Sequence, residues 1–586
     1  MKRKFFAITL FAAGVTTFAL ITFGQTRNQS SSPTPPARVG SITGRIVNES
    51  GKPMPNARVF VSGAGRQPVR RMINTDEAGR FVADDLPRGT YSISAQANGY
   101  VLVRQPGDTV HHRPGDSVSL VLKKGAAITG TVTNSDGDPV VGVPISAVLV
   151  RDEQGRRSSS TFGLARYTDD RGVYRLFGLP GGTYIIAAGP RGIVSSSILN
   201  AYGDDSPTYY PSSTRDTAAE VSAAFGSEVS GIDIRYRGER GRAVSGTVID
   251  QSLPDSLAAG GSVLLIRASS DTLEAQTAIQ PRTGESVFAL YGVPDGDYYL
   301  MCRRGPYQSD DGATSKRVPV KVRGRDITGI TINLEPSGSI AGRLTLDLAT
   351  KDLKCETQPP PAVEEILMGV SDDDSDSSDP SRFASVLQTP DSKGDFVFQG
   401  LPAGRYRIDS RLLLDEAWYL RSMTVPGPTN TPVDTSSTGI VVKPGRRING
   451  VRLVLGDGAA SIRGRVVTEK GAALPDRLRA QLVPAEANAG DETLRFVEAE
   501  VQSDGAFKLL NVAPGRYWIL VRRLPEDSRP RMPRPQAWNS AARAALRREA
   551  AVSNVAIELK PCQRIADYQL RYAPPKDAPT TQPKLK

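Results

Sequence analysis

One phrase recurs along the chain: an alternating strand, a turn built from proline and glycine, and a tyrosine. It reads TDEAGRFVADDLPRGTYSI at 75–93, TDDRGVYRLFGLPGGTYII at 168–186, TPDSKGDFVFQGLPAGRYRI at 389–408 and SDGAFKLLNVAPGRYWI at 503–519. Large residues fall at every second position, as with Phe81, with Tyr174 and Leu176, and with Phe396 and Phe398. Period two marks a strand with one buried face. Gly79, Gly172, Gly394 and Gly505 stand just before that strand. A hairpin turn there needs a backbone that tolerates positive φ. A fifth, worn copy, GESVFALYGVPDGDYYL, occupies 284–300 with Val293 in place of leucine, and the last copy shifts its proline to Pro514.

Each copy closes on a tyrosine: Tyr91, Tyr184, Tyr298, Tyr406 and Tyr517. Such a ring can fill the edge of a β-sandwich while its hydroxyl bonds a loop carbonyl, as a tyrosine corner does. An earlier phrase precedes each copy: SITGRIV from 41, AITGTVT from 127, AVSGTVI from 243, SIAGRLT from 339 and SIRGRVV from 461. A later one follows, ending with SVSLVL at 122, VSGIDIRY at 236, ITGITINL at 334, INGVRLVL at 455 and VSNVAIEL at 559. Repeats of this size are whole domains in tandem, not solenoid turns. The 586 residues also exceed what one hydrophobic core usually holds.

The expected division is therefore a signal peptide or membrane anchor at 1–24, a Ser/Pro-rich linker at 25–40, and sandwiches at 41–124 and 125–238. Three more follow at 239–336 (degenerate), 337–457 and 458–562, with a tail at 563–586. Insertions interrupt the pattern at 191–228, 351–388 and 525–551.

The pattern G-x-V, then G-x-P, then T-D-x-x-G-x-(F/Y), then L-P-x-G-x-Y resembles the carboxypeptidase regulatory-like domain. Gly44 to Tyr91 and Gly130 to Tyr184 match it nearly throughout. The likeness extends over about 500 residues, weakest in the third repeat. It implies an all-β chain: five small prealbumin-like (transthyretin-like) seven-stranded sandwiches, grouped with carbohydrate-binding-like folds. The segment 207–236 is also similar to tandem exported proteins of this family in soil bacteria. A fibronectin type III reading competes, since that fold uses a similar corner. It usually keeps a core tryptophan in an early strand, whereas Trp418, Trp518 and Trp538 all lie beside or after a corner.

The N-terminus addresses the compartment. MKRK precedes an apolar run from Phe5 to Phe23, and a polar Ser/Pro-rich stretch follows. This reads as an export signal cleaved after Gly24, or as an uncleaved anchor just long enough to span a bilayer. No cysteine follows closely enough for a lipid anchor. The expected location is extracytoplasmic: periplasmic, outer-membrane-associated or secreted. The net charge of +11 would suggest nucleic acid in a cytosolic protein. Here the basic residues are scattered, apart from RPRMPRP at 529–535, and no nucleic-acid partner is expected. Cys302, Cys355 and Cys562 fit no zinc or redox spacing. One disulfide could form; Cys302 and Cys355 are closest in sequence, but spacing does not choose among the pairs.

The family's name contains an enzyme, so its chemistry must be sought. A zinc carboxypeptidase holds its metal with two histidines and a glutamate. The only histidines are adjacent, His111 and His112, and neighbours on a strand point to opposite faces. HHRPGD reads as a surface loop. No Ser–His–Asp set, S-x-x-K motif or nucleophile elbow is present. A carboxylate-pair glycosidase is not excluded by composition, and an unrecognised hydrolase stays as a third reading. SDDDSDSSDP at 371–380 lacks the glycine and glutamate spacing of a calcium loop. The expectation is no catalytic residue, no metal and no cofactor.

Binding is then the leading function, with polysaccharide or an envelope protein as partner and membrane contact only through an N-terminal anchor. The alternative is a structural spacer or accessory subunit of an envelope complex. The candidate ligand contacts are Tyr202, Tyr209 and Tyr210, in NAYGDDSPTYYP at 200–211, beside Asn200, Asp204 and Asp205. Aromatic faces stack on sugar C–H faces and polar neighbours fix orientation. Their rival role is covering the hydrophobic edge of the second repeat. In the third insertion, PQAWNSAARAALRREAA reads as a short helix capped by Asn539 or Ser540.

Overall fold

The computed structural model describes residues 39–572 except 66–68, 104–110, 154, 156–160, 191, 194–200, 251–260, 283–284, 306–311, 349–359, 373–385, 412–416, 430, 469–472, 476, 491, 524–537 and 554. The expected signal or anchor, Asn200, Cys355, most of the acidic stretch and RPRMPRP lie outside the described residues.

The first repeat sets the plan. Val39–Asn48 pairs antiparallel with Arg80–Pro87 and parallel with Ser117–Lys124. The facing sheet centres on Arg58–Gly63, which pairs antiparallel with Arg70–Asn74 and with Tyr91–Gln96. Ile42, Ile46, Val59, Val61, Phe81 and Ile93 meet between the two sheets. Each fully buried side chain of this size contributes about 1.5–3 kcal/mol.

The plan recurs. The first strand of each later repeat, Ala126–Thr133, Arg242–Asp250, Gly338–Asp347 and Ala460–Thr468, lies antiparallel to the phrase strand and parallel to a final strand. Successive cores gather around Tyr174, Phe288, Phe398 and Phe507. In the third repeat Ala313–Ser315 pairs with both Gly296–Arg304 and Ile327–Pro336, which joins the two sheets.

Two glycine positions explain why the phrases are so constant. Gly79, Gly172, Gly394 and Gly505 have φ of 71°, 73°, 83° and 86°. Each carbonyl there accepts a 2.8 Å bond from the first strand, at Ile46, Val132, Leu344 and Val466. A Cβ on Gly394 would lie 2.2 Å from the Leu344 carbonyl oxygen. The glycine of the first strand faces the final strand instead. A Cβ on Gly130 or Gly464 would lie 2.1 Å from the carbonyl oxygen of Ile232 or Tyr568.

The structure corrects the expected end of the fifth repeat. Its final strand is Arg564–Tyr572, parallel to Ala460–Thr468, so 563–572 belongs to the sandwich and not to a tail. Ala556–Leu559 pairs instead with Gly515–Arg523. Leu570 and Tyr572 close the core. The helix spans Ser540–Ser553. Asn539 is its cap, with Oδ1 accepting the Ala542 N–H at 2.9 Å. Leu546 and Ala550 lie on Val483 and Leu520, on the outer face of the sheet.

Candidate functional site

The five closing tyrosines do the same thing. The hydroxyl of Tyr91 donates to the Pro87 carbonyl at 2.7 Å, Tyr184 to Pro180 at 2.6 Å and Tyr298 to Pro294 at 3.0 Å. Tyr406 donates to Pro402 and Tyr517 to Ala513, each at 2.7 Å. The shifted proline of the last copy leaves the acceptor position, four residues upstream, unchanged. Burial raises the pKa of Tyr91, Tyr184, Tyr298 and Tyr517 above the ordinary phenol value. In the fifth repeat Arg495 stacks over the Tyr517 ring, its guanidinium carbon 4.9 Å from the centroid. Its Nε donates to the Tyr517 hydroxyl at 3.2 Å, and its Nη2 reaches both Glu486 oxygens at 3.0 Å.

The three candidate ligand tyrosines do not share one open surface. Tyr209 is 2% exposed and lies with Val148, Ile185 and Ala187 on the outer face of its sheet. Tyr202 and Tyr210 pack against the main core on the inner side. Adjacent strand residues point to opposite faces, which separates Tyr209 from Tyr210. The Tyr202 hydroxyl donates to the Val141 carbonyl at 2.6 Å, and its ring meets Tyr236 edge-on at 5.7 Å. The polar neighbours are engaged as well: Asp205 accepts from the Tyr236 hydroxyl at 2.9 Å and Asp204 pairs with Arg240 at 3.1 Å.

The histidines also differ from expectation. They form a two-residue strand on Tyr91 and Ser92, not a surface loop, and His112 is 9% exposed. Among the described residues no group of three or more His, Cys, Asp or Glu is placed to hold a metal ion. No described helix is long and apolar enough to cross a membrane. Cys302 is a free, buried thiol, pushed up to about 12 by burial and then by Asp250. Cys562 is disulfide-bonded, so Cys302 is not the cysteine in the bridge.

Sequence gave no sign of the contacts between repeats. Repeats two and three share a buried cluster in which Arg215 and Arg267 both bond Glu274. Asn511 of repeat five donates to the Trp418 carbonyl of repeat four at 2.7 Å. Repeat one touches repeat four, far along the chain. The Thr389 N–H donates to the Ala64 carbonyl at 3.0 Å, and the Thr90 hydroxyl donates to the Glu365 carbonyl at 2.8 Å. Arg113 pairs with the Glu365 carboxylate at 3.3 Å.

A family model for the carboxypeptidase regulatory-like domain matches residues 41–123. No curated protein matches the chain. Among solved structures it is similar to the Bacillus anthracis TIE protein, at 15% identity over 51% of each chain with a TM-score of 0.14. It is similar to a streptococcal ancillary pilin, at 15% identity over 51% of this chain and 100% of that one, TM-score 0.16. BcpA, the major pilin subunit of Bacillus cereus, matches at 11% identity over 51% of this chain and 99% of that one, TM-score 0.13. The chain spans about half the length of the first of these. Residues 41–123 are thus a carboxypeptidase regulatory-like domain, at the head of an all-β tandem array that repeats its strand order and its tyrosine corner.

Proposed function

We propose that the chain is a non-catalytic, extracytoplasmic binding or scaffold protein whose partner is envelope polysaccharide or an envelope protein. One observation carries this reading. The residues that chemistry would recruit are committed to architecture: the tyrosines close corners, the histidines pair with a strand, and Arg495 and Glu486 brace Tyr517. What is left is a rigid repeated frame with loops and sheet faces, where binding groups usually sit. The disulfide at Cys562 suits an oxidising compartment. Cell fractionation with N-terminal sequencing tests the compartment; a full-length cytoplasmic chain beginning at Met1 overturns it. Co-sedimentation of the purified chain with isolated envelope tests the binding.

The contacts between repeats favour a second reading, a structural spacer or accessory subunit, because they hold the sandwiches against one another. On this reading the purified chain binds no isolated envelope polysaccharide, yet its loss alters the assembly it belongs to.

A further inference from the structure

The outer face of the sheet centred on Arg58–Gly63 differs from its counterparts. In the other repeats the matching central strand buries an outward apolar residue almost completely. These are Val148 at 1%, Ile266 at 1%, Leu367 at 0% and Val483 at 0%. In repeat two the strand bearing Tyr209 covers it, and in repeat five the helix bearing Leu546 does. Repeat one leaves Phe60 37% exposed and its cross-strand partner Met72 67% exposed.

The surroundings of that pair are polar and cationic. Register places Arg58, Asn74 and Gln96 in one row, Phe60, Met72 and Ser94 in the next, and Ser62, Arg70 and Ser92 in the third. The strand alternation puts all nine on the outer face, away from Val59, Val61 and Ile93. No carboxylate belongs to these rows. Neither Arg58 nor Arg70 has an ion-pair partner among the described residues. The arginines are two rows apart, about 14 Å along the strands.

We propose that this face binds an anionic polysaccharide. The inference rests on the polysaccharide form of the function proposed above and assigns it a site. An aromatic ring and a thioether form an apolar platform for sugar C–H faces. Ser94, Asn74 and Gln96 offer hydroxyl and amide groups to sugar hydroxyls. Arg58 and Arg70 present planar, permanently charged forks to carboxylates spaced along the polymer. A second protein is the poorer occupant, because one face of four short strands falls well short of the roughly 800 Å² per partner that a stable protein interface buries.

Affinity electrophoresis of the full chain through gels containing polygalacturonate, or neutral dextran, tests this. Polygalacturonate is expected to retard the wild-type chain and dextran to leave it unaffected. Arg58→Gln with Arg70→Gln should weaken the retardation about tenfold, the scale of losing two exposed ion pairs. Phe60→Ala should weaken it at unchanged salt dependence. All positions changed are exposed, and an unaltered melting profile confirms that each variant folds. Full retardation of the variants overturns the site while leaving polysaccharide binding standing. Absence of wild-type retardation overturns the site too, and envelope co-sedimentation then decides the wider reading separately. Equal competition by poly-glutamate, unaffected by Phe60→Ala, marks a bare polyanion surface and also overturns it.

Discussion

Replacing a corner tyrosine by phenylalanine removes one hydroxyl and leaves the ring in place. At Tyr184, which is 0% exposed, the hydroxyl makes a single 2.6 Å bond to the Pro180 carbonyl. Pro180 itself is half-buried, so water can reach the abandoned acceptor. The expected cost is therefore about 1 kcal/mol. At Tyr517 the same change also strips a partner from the Arg495 guanidinium, which is held over the ring and against Glu486. A hydrogen bond to a charged, half-buried group raises the expected cost to about 2 kcal/mol. Hydrogen–deuterium exchange of the full chain reads the two separately. Amides of Gly182–Ala188 should exchange about fivefold faster in Tyr184→Phe, and those of Gly515–Arg523 about thirtyfold faster in Tyr517→Phe. Tyr91–Gln96 of repeat one serves as the internal reference for both. Equal acceleration at the two corners would refute the role given to Arg495. No acceleration at either would refute the corner itself.

Stability should fall with rising pH above about 10. Burial raises the folded pKa of Tyr174, Tyr184, Tyr236 and Tyr298, so the folded state holds protons that the unfolded state has released. Their contribution is complete below the unfolded value and is lost as pH climbs towards the folded one. Ultraviolet titration should show these phenols ionising only with unfolding; early reversible ionisation of all of them counts against it. The Cys302 thiol, pushed up to about 12, should ignore a thiol reagent until the chain is denatured. Peptide mapping without reductant should find Cys562 in a bridge and Cys302 outside it; a bridged peptide containing Cys302 contradicts this. Gly394→Ala should cost at least about 2 kcal/mol, since it combines a left-handed backbone with a Cβ 2.2 Å from the Leu344 oxygen. An unchanged unfolding midpoint for repeat four would refute that.

Local chemistry was legible and distant chemistry was not. The strand period, the hairpin glycines and the corner hydroxyl could all be read because turn, strand and acceptor lie within a few residues. Asn539 and Ser540 were equal candidates as caps, and only the Ala542 bond separates them. The final strand of repeat five was missed because VAIEL is the more densely apolar stretch, while RIADYQLRY dilutes its apolar residues with charged and polar ones. Strand position there depends on pairing with Ala460–Thr468, over 90 residues earlier. Tyr209 and Tyr210 looked like one aromatic patch in sequence, but the pleat divides them between two cores. The exposure of Phe60 acquires meaning only beside the buried outward residues elsewhere on the matching strands of the other repeats, which requires the strands to be aligned in space.

The bonds from Ala64, Thr90 and Arg113 to the strands and loop around Glu365 and Thr389 also set a load path. Tension applied between the two ends of the array has two routes: along the backbone through repeats two and three, or directly across this contact. The contact is the shorter route, so it carries the load first, and repeats two and three are shielded while it holds. Among the described residues it holds two hydrogen bonds and one ion pair, far less than any sandwich core. Under rising force it should part before a sandwich unravels, releasing contour already folded. The chain would then behave as an extensible tether with a first, reversible step. A single-molecule trace whose earliest event is the full unravelling of a sandwich would refute this.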